Sequence, residues 1–214
     1  MLRYQIAPVT DLMQNCSIVW CDETKEGVLI DPGGEPDKLR RAVEDAGVTL
    51  KALWLTHGHL DHAGGAQSLR EQLGIPVIGP AKADQFWLES IEEQCRMFGL
   101  FGLRNVDPDR WLEDNETLTI GNETLQVLTT PGHTPGHVIF YHEAQKLAWV
   151  GDVLFAGSVG RTDFPQSNHA DLISSITNKL WKLGDDVKFI PGHGPESTFG
   201  RERKTNPFVG EDAL

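Results

Sequence analysis

At 214 residues, with 31 acidic and 19 basic side chains, the chain has a formal net charge of −12, which disfavours phosphate backbones and anionic lipid headgroups as main partners. Hydrophobic residues at 39% and charged residues at 23% match ordinary soluble usage and suffice for a real core. No apolar run nears the roughly 20 residues of a membrane span, and the start MLRYQIAPVT lacks the apolar centre of a signal peptide, so a cytoplasmic protein is expected. Cys16, Cys21 and Cys95 are too sparse, and odd in number, to frame disulfides.

Asn15 to Trp20 and Gly27 to Ile30 read as short strands, the second running into the turn signal Asp31-Pro32-Gly33-Gly34. Pro36 suits the first turn of a helix with Leu39, Val43 and Ala46 on one face, closed by Gly47. Lys51 to Leu55 is a short buried strand that delivers the chain to Thr56-His57-Gly58-His59-Leu60-Asp61-His62. A helix from Ala63 to Leu73, stopped by Gly74, precedes a strand at Pro76 to Ile78. Ala81 to Phe98 has helical spacing at Trp87, Ile91, Cys95 and Phe98, followed by the Gly-punctuated apolar stretch Phe98 to Leu103.

β character returns at Thr117 to Ile120, Thr124 to Leu128, Val138 to Tyr141 and Leu147 to Val150. A helix over Leu172 to Leu183 and a strand over Val187 to Ile190 complete the pattern. Two successive β/α halves without a linker predict one domain over residues 1–214. The expected fold is α/β, two sheets face to face with helices outside. The cluster Arg201-Glu202-Arg203-Lys204 is the one basic run, open to reading as a solvated tail turn or an anion contact.

The turn at 56–62 packs four potential metal ligands, His57, His59, Asp61 and His62, into six residues. A regular helix or strand cannot aim all four at one ion, but a tight turn after a strand can split them into two directions. Further candidates also follow predicted strands: His133 in Thr130-Pro131-Gly132-His133-Thr134-Pro135-Gly136-His137, Asp152 after Trp149-Val150-Gly151, and His193 in Pro191-Gly192-His193-Gly194. Small residues and Pro beside each suit a backbone held tightly round a site. Imidazoles with a few carboxylates suit Zn²⁺ first, with Fe²⁺ or Mn²⁺ also fitting. Two such ions can share a hydroxide, polarise a carbonyl and stabilise an oxyanion. His137 reads as a supporting residue at a strand start, and His142 and His169 carry no spacing signal.

In combination and order, THGHLDH, the His of TPGHTPGH, the Asp of WVGD and the His of PGHG resemble the metallo-β-lactamase-fold hydrolases. That resemblance runs from about Asp31 to His193 and implies an αββα sandwich with a dinuclear site at one edge. It assigns His57, His59 and His133 to the first ion and Asp61, His62 and His193 to the second. Asp152 bridges the two, and Asp31 supports the ligand loop. Asp61 and Asp152 are thereby the catalytic carboxylates, acting through the metal-bound hydroxide.

Within that family the chain looks most like the short type II glyoxalases, the hydroxyacylglutathione hydrolases. The segment Gly157 to Pro165 and the pair Thr198-Phe199-Gly200-Arg201-Glu202 and Asn206-Pro207-Phe208 are similar to theirs. An Asp at 152 sets it apart from the lactamases proper. Only 21 residues follow His193, so the C-terminal helical domain of longer type II glyoxalases is not expected, and their glutathione grip does not carry over. The implied reaction is hydrolysis of a glutathione thioester, S-lactoylglutathione first, by a monomer or homodimer. Arg161, Arg201 and Phe101 are the candidate substrate contacts, with Arg203 and Lys204 as further cations. Alternatives are an iron-dependent persulfide dioxygenase and a non-catalytic metal-binding protein on the same scaffold.

Overall fold

The structure, a computed structural model, describes residues 1–213. The first sheet comprises β1 (Leu2–Val9), β2 (Gln14–Cys21), β3 (Glu26–Ile30), β4 (Thr49–Trp54) and β5 (Val77–Ile78), paired in that order. β1 to β3 are antiparallel, whereas β4 and β5 join in parallel across helical crossovers. The first crossover is α1 (Pro36–Asp45); the second holds α2 (Leu60–Ala63) and α3 (Ala66–Leu73). Two more helices, α4 (Gln85–Glu89) and α5 (Ile91–Phe98), then lead towards the second sheet.

That sheet is built from β6 (Thr117–Ile120), β7 (Glu123–Thr129), β8 (Val138–His142) and β9 (Leu147–Gly151). A small hairpin, β10 (Leu154–Phe155) with β11 (Ser158–Val159), interrupts it before α6 (His169–Asn178). The sheet resumes with β12 (Lys188–Pro191) and β13 (Ser197–Thr198), and α7 (Phe199–Thr205) follows. Spatial order is β13-β12-β9-β8-β7-β6.

Period-2 alternation explains the layering, because successive side chains of a strand point to opposite faces. Val28, Ile30, Ala52 and Trp54 meet Val127, Val138, Phe140 and Trp149 between the sheets. The intervening Leu29, Leu53 and Leu55 pack instead with Leu39, Leu69 and Leu88 of the first helical layer. Likewise Ile139, Ala148 and Val150 pack with Leu172, Ile176 and Phe199 of the second. Strands buried on both faces read as continuous apolar runs, and the result is the expected αββα sandwich. No helix among the described residues is long and apolar enough to cross a membrane.

Several boundaries differ from the sequence expectation. The helix predicted over Ala63 to Leu73 starts at Leu60 and is split at Gly64-Gly65. Ala81 to Phe98 is a 3₁₀ turn and two short helices, broken at Ser90, whose φ of −111° is not helical. Leu172 to Leu183 begins at His169 and ends as a 3₁₀ turn from Leu180. The basic run at 201–204 lies in α7, an ordered helix capped by the Thr198 side chain, and not in a solvated turn. β1 was not anticipated; it is an edge strand, buried on only part of its length.

Candidate metal centre

The four ligand-bearing loops leave the C-terminal ends of β4, β7, β9 and β12, at one edge of the sandwich. The turn after β4 separates its ligands as the spacing requires: His59 precedes α2, and Asp61 and His62 lie within it. Close backbone approach makes glycine necessary at two points. A Cβ on Gly33 would sit 1.5 Å from the Asp61 carbonyl oxygen, and one on Gly192 would sit 2.1 Å from Asp152 Oδ1.

Ligand atoms of His57, His59 and His133 lie within 4.8 Å of one another, as do those of Asp61, His62 and His193. Asp152 lies between the groups: Oδ1 is 3.3 Å from His62 Nε2, and Oδ2 is 3.6 Å from His133 Nε2 and 3.7 Å from His193 Nε2. All seven residues singled out as ligands therefore converge.

Outer partners fix how these rings face. The Nδ1 atoms of His133 and His193 donate to the carbonyls of Arg161 and Leu12, at 2.8 and 3.1 Å. His57 Nδ1 lies 3.0 Å from Thr56 Oγ1, and His62 Nδ1 lies 2.8 Å from Asp31 Oδ2. Asp31 also accepts the Thr56 amide and hydroxyl at 2.7 and 2.6 Å, which ties the turn to the end of β3. With Nδ1 engaged, Nε2 of His57, His62, His133 and His193 is left for the interior, the pattern that orients metal ligands.

Among the described residues, Nε2 of His57 and His59 is buried without a hydrogen-bond partner, and His62 Nε2 and Asp152 Oδ1, 3.3 Å apart, make no hydrogen bond of proper geometry. Orphaned acceptors of this kind are costly unless a cation takes their lone pairs. Nitrogen and oxygen donors, with no cysteine among them, suit divalent zinc, iron or manganese. Burial first, then neighbouring histidines, depress His57 well below the usual imidazole range and take His59 to about 3, so both rings are neutral donors. His62 goes the other way: burial opposes its charge, but Asp152, Asp61 and Asp31 outweigh it and raise its pKa well above normal. Surroundings that favour positive charge at this point also favour a metal cation.

A cleft of about 480 Å³ opens over the cluster, with His59, Asp61, His133, Asp152 and His193 exposed to it and Phe155, Val159, Phe164 and Arg161 on its walls. Arg161 makes a bidentate pair with Asp163 at 2.9 and 2.7 Å, and its guanidinium lies 4.6 Å from the Phe164 ring centroid. Phe101 is 92% exposed and lines an adjoining groove of about 460 Å³ that shares Asp61 with the cleft. Arg201 lines neither space, because α7 sets it on the outer surface. His137 lies behind Asp152, whose amide donates to His137 Nε2 at 3.1 Å. His142 pairs with Glu123 at 3.0 Å, and His169 opens α6.

Asp84 escaped sequence reading. Its buried carboxylate accepts the Gly58 amide (2.8 Å), the Thr134 hydroxyl (2.7 Å) and the Gly136 amide (2.6 Å), pinning two ligand loops to each other. Burial pushes its pKa up to about 6, against the pull of these three donors. The only local signal was an Asp just before a helix, which reads as an ordinary cap.

The metallo-beta-lactamase superfamily profile matches residues 9–193. Hydroxyacylglutathione hydrolase GloC of Haemophilus influenzae is 45% identical over 97% of this chain and 98% of its own. Among solved structures, BLEG-1 B3 metallo-beta-lactamase matches with a TM-score of 0.88 and 34% identity, covering 97% of this chain and 99% of that one. TTHA1623 in a di-iron-bound form matches with a TM-score of 0.87 and 38% identity, covering 96% and 100%. The fold and clustered donors define a metal-dependent hydrolase class. The chain belongs to the metallo-beta-lactamase superfamily.

Proposed function

We propose that this protein hydrolyses thioesters of glutathione, with S-lactoylglutathione as the leading substrate. His57, His59 and His133 would hold one divalent ion, Asp61, His62 and His193 a second, and Asp152 would contact both. The observation that carries the metal assignment is the set of buried, partnerless imidazole nitrogens and carboxylate oxygen facing one another at the cleft floor. Full-length similarity to a hydroxyacylglutathione hydrolase supports the substrate class.

Divalent ions bound there would supply Lewis acidity and an ionised water at neutral pH. The protein's part is to hold ligands rigidly, through Asp31, Thr56 and the Arg161 and Leu12 carbonyls, and to orient the ester. Phe155, Val159 and Phe164 give the cleft an apolar wall. Arg161 stands at the rim, able to exchange the exposed Asp163 carboxylate for one from glutathione. Among the described residues no Lys or Tyr lines the cleft, which suits a thiolate leaving group that departs without protonation.

The test is release of glutathione thiol from S-lactoylglutathione by protein loaded separately with zinc, iron or manganese. Chelation should abolish turnover and one of the metals should restore it; a fully loaded protein without turnover would refute the reading. Similarity to BLEG-1 favours a second reading, β-lactam hydrolysis by the same centre. A cephalosporin assayed beside the thioester separates the two.

A further inference from the structure

The C-terminal segment Glu202 to Asn206 carries a buried polar cluster that the metal centre does not use. Glu202 is 1% exposed and, among the described residues, has no cationic partner. Its Oε1 accepts the Ser197 hydroxyl at 2.5 Å, and its Oε2 accepts the Gly157 amide at 2.8 Å and the Asn206 side-chain amide at 3.0 Å. The same Asn206 Nδ2 also donates to the Ser158 carbonyl at 3.1 Å, while Asn206 Oδ1 accepts the Phe208 amide at 2.9 Å.

Two of these bonds end on the β10–β11 hairpin, at Gly157 and Ser158, and a third joins Asn206 to Glu202. The hairpin's connecting residues are Ala156 and Gly157, and Gly157 adopts φ 76°, a left-handed conformation that glycine takes without steric cost. Phe155 and Val159 flank that turn and face the cleft, where the Phe155 ring centroid is 6.4 Å from that of His193. Two strands of two residues each cannot hold themselves in place, since isolated hairpins are marginal even when longer. A buried carboxylate is costly unless its bonds are specific, and here they join α7 and β13 to the hairpin.

We propose that Glu202 and Asn206 are specificity-determining positioning residues, which lock the β10–β11 hairpin as the wall of the substrate cleft. They act through Phe155 and Val159 and touch neither metal nor reacting atoms. The kinetic part of the test rests on the thioester-hydrolase reading; the exchange part does not.

The experiment compares metal-loaded parent, Glu202→Ala, Glu202→Gln and Asn206→Ala. Readouts are metal content, amide hydrogen exchange at 154–160, and kcat and KM for S-lactoylglutathione. Glu202→Ala and Asn206→Ala should speed hairpin exchange and raise KM about ten-fold, the equivalent of one lost charged hydrogen bond, while kcat changes little and metal content stays at the parent value. Glu202→Gln should recover most of the parent KM, because its amide oxygen can still accept from Gly157 and its NH₂ can donate to Ser197. Unchanged exchange in the alanine variants overturns the proposal, as does loss of metal, or faster exchange with an unaltered KM. If the parent hydrolyses no thioester, the functional reading fails, and the exchange comparison alone decides the brace. If Glu202→Ala does not fold, Asn206→Ala, which leaves the carboxylate on Ser197 and Gly157, carries the same comparison.

Discussion

The backbone amide of Asp152 donates to Nε2 of His137 at 3.1 Å, so the carboxylate between the two ligand groups is positioned from behind by a ring outside the ligand set. His137 Nδ1 lies 3.1 Å from Thr130 Oγ1, and its ring stacks on His57 at 4.8 Å between centroids. Asp152→Ala should therefore lower turnover by orders of magnitude, whereas His137→Ala should cost about 10- to 100-fold, as for a support group. Steady-state kinetics with metal analysis checks both. Equal damage would sink the assignment of Asp152 to both ions.

Asp84→Asn keeps the shape but turns one acceptor oxygen into a donor. That NH₂ must face either the Gly136 amide or the Gly58 amide and Thr134 hydroxyl. Metal affinity should fall about 10- to 100-fold, read by competition with a chromogenic chelator. Thr134→Val removes one donor and leaves the carboxylate, and should cost less. Parent-like affinity in Asp84→Asn would show that the loops hold each other without it.

Arg161→Met should raise KM for a glutathione thioester about five-fold while leaving an uncharged short thioester unaffected, the modest effect expected of a rim charge. Its pair with Asp163 is exposed, 69% and 65% for the two side chains, so exchanging one carboxylate for another costs little. An equal fall on both substrates, with metal retained, would mean that Arg161 shapes its loop only; its carbonyl already holds His133.

Phe101 stands between Gly99 and Gly102, at φ 66° and 83°, beside the groove that shares Asp61 with the cleft. An aromatic ring 92% exposed at such a position has apolar surface to offer a ligand. Phe101→Ala should raise KM for bulky acyl thioesters about five-fold, equivalent to roughly 1 kcal/mol of apolar contact. Unchanged constants across an acyl series would remove Phe101 from the substrate contacts.

The chain's own residues settled the sandwich and the convergence of His57, His59, Asp61, His62, His133, Asp152 and His193. Strand periodicity is local, and a turn of small residues directly after a strand end carries its His or Asp to the sheet edge. Folding alone decided the remainder. Asp84 meets its three partners across 26, 50 and 52 residues, and Glu202 meets Gly157 across 45. Asp84 stands in no motif, Glu202 closes a segment that says nothing of the hairpin it meets, and each looks locally like a helix residue. Arg201 lies outside the lining of the cleft and the adjoining groove, because the sequence of α7 does not say which side faces them, and Phe199 of the same helix packs into the outer core. Burial selects such long-range partners, because a polar group removed from water must find a bond wherever the tertiary structure brings one.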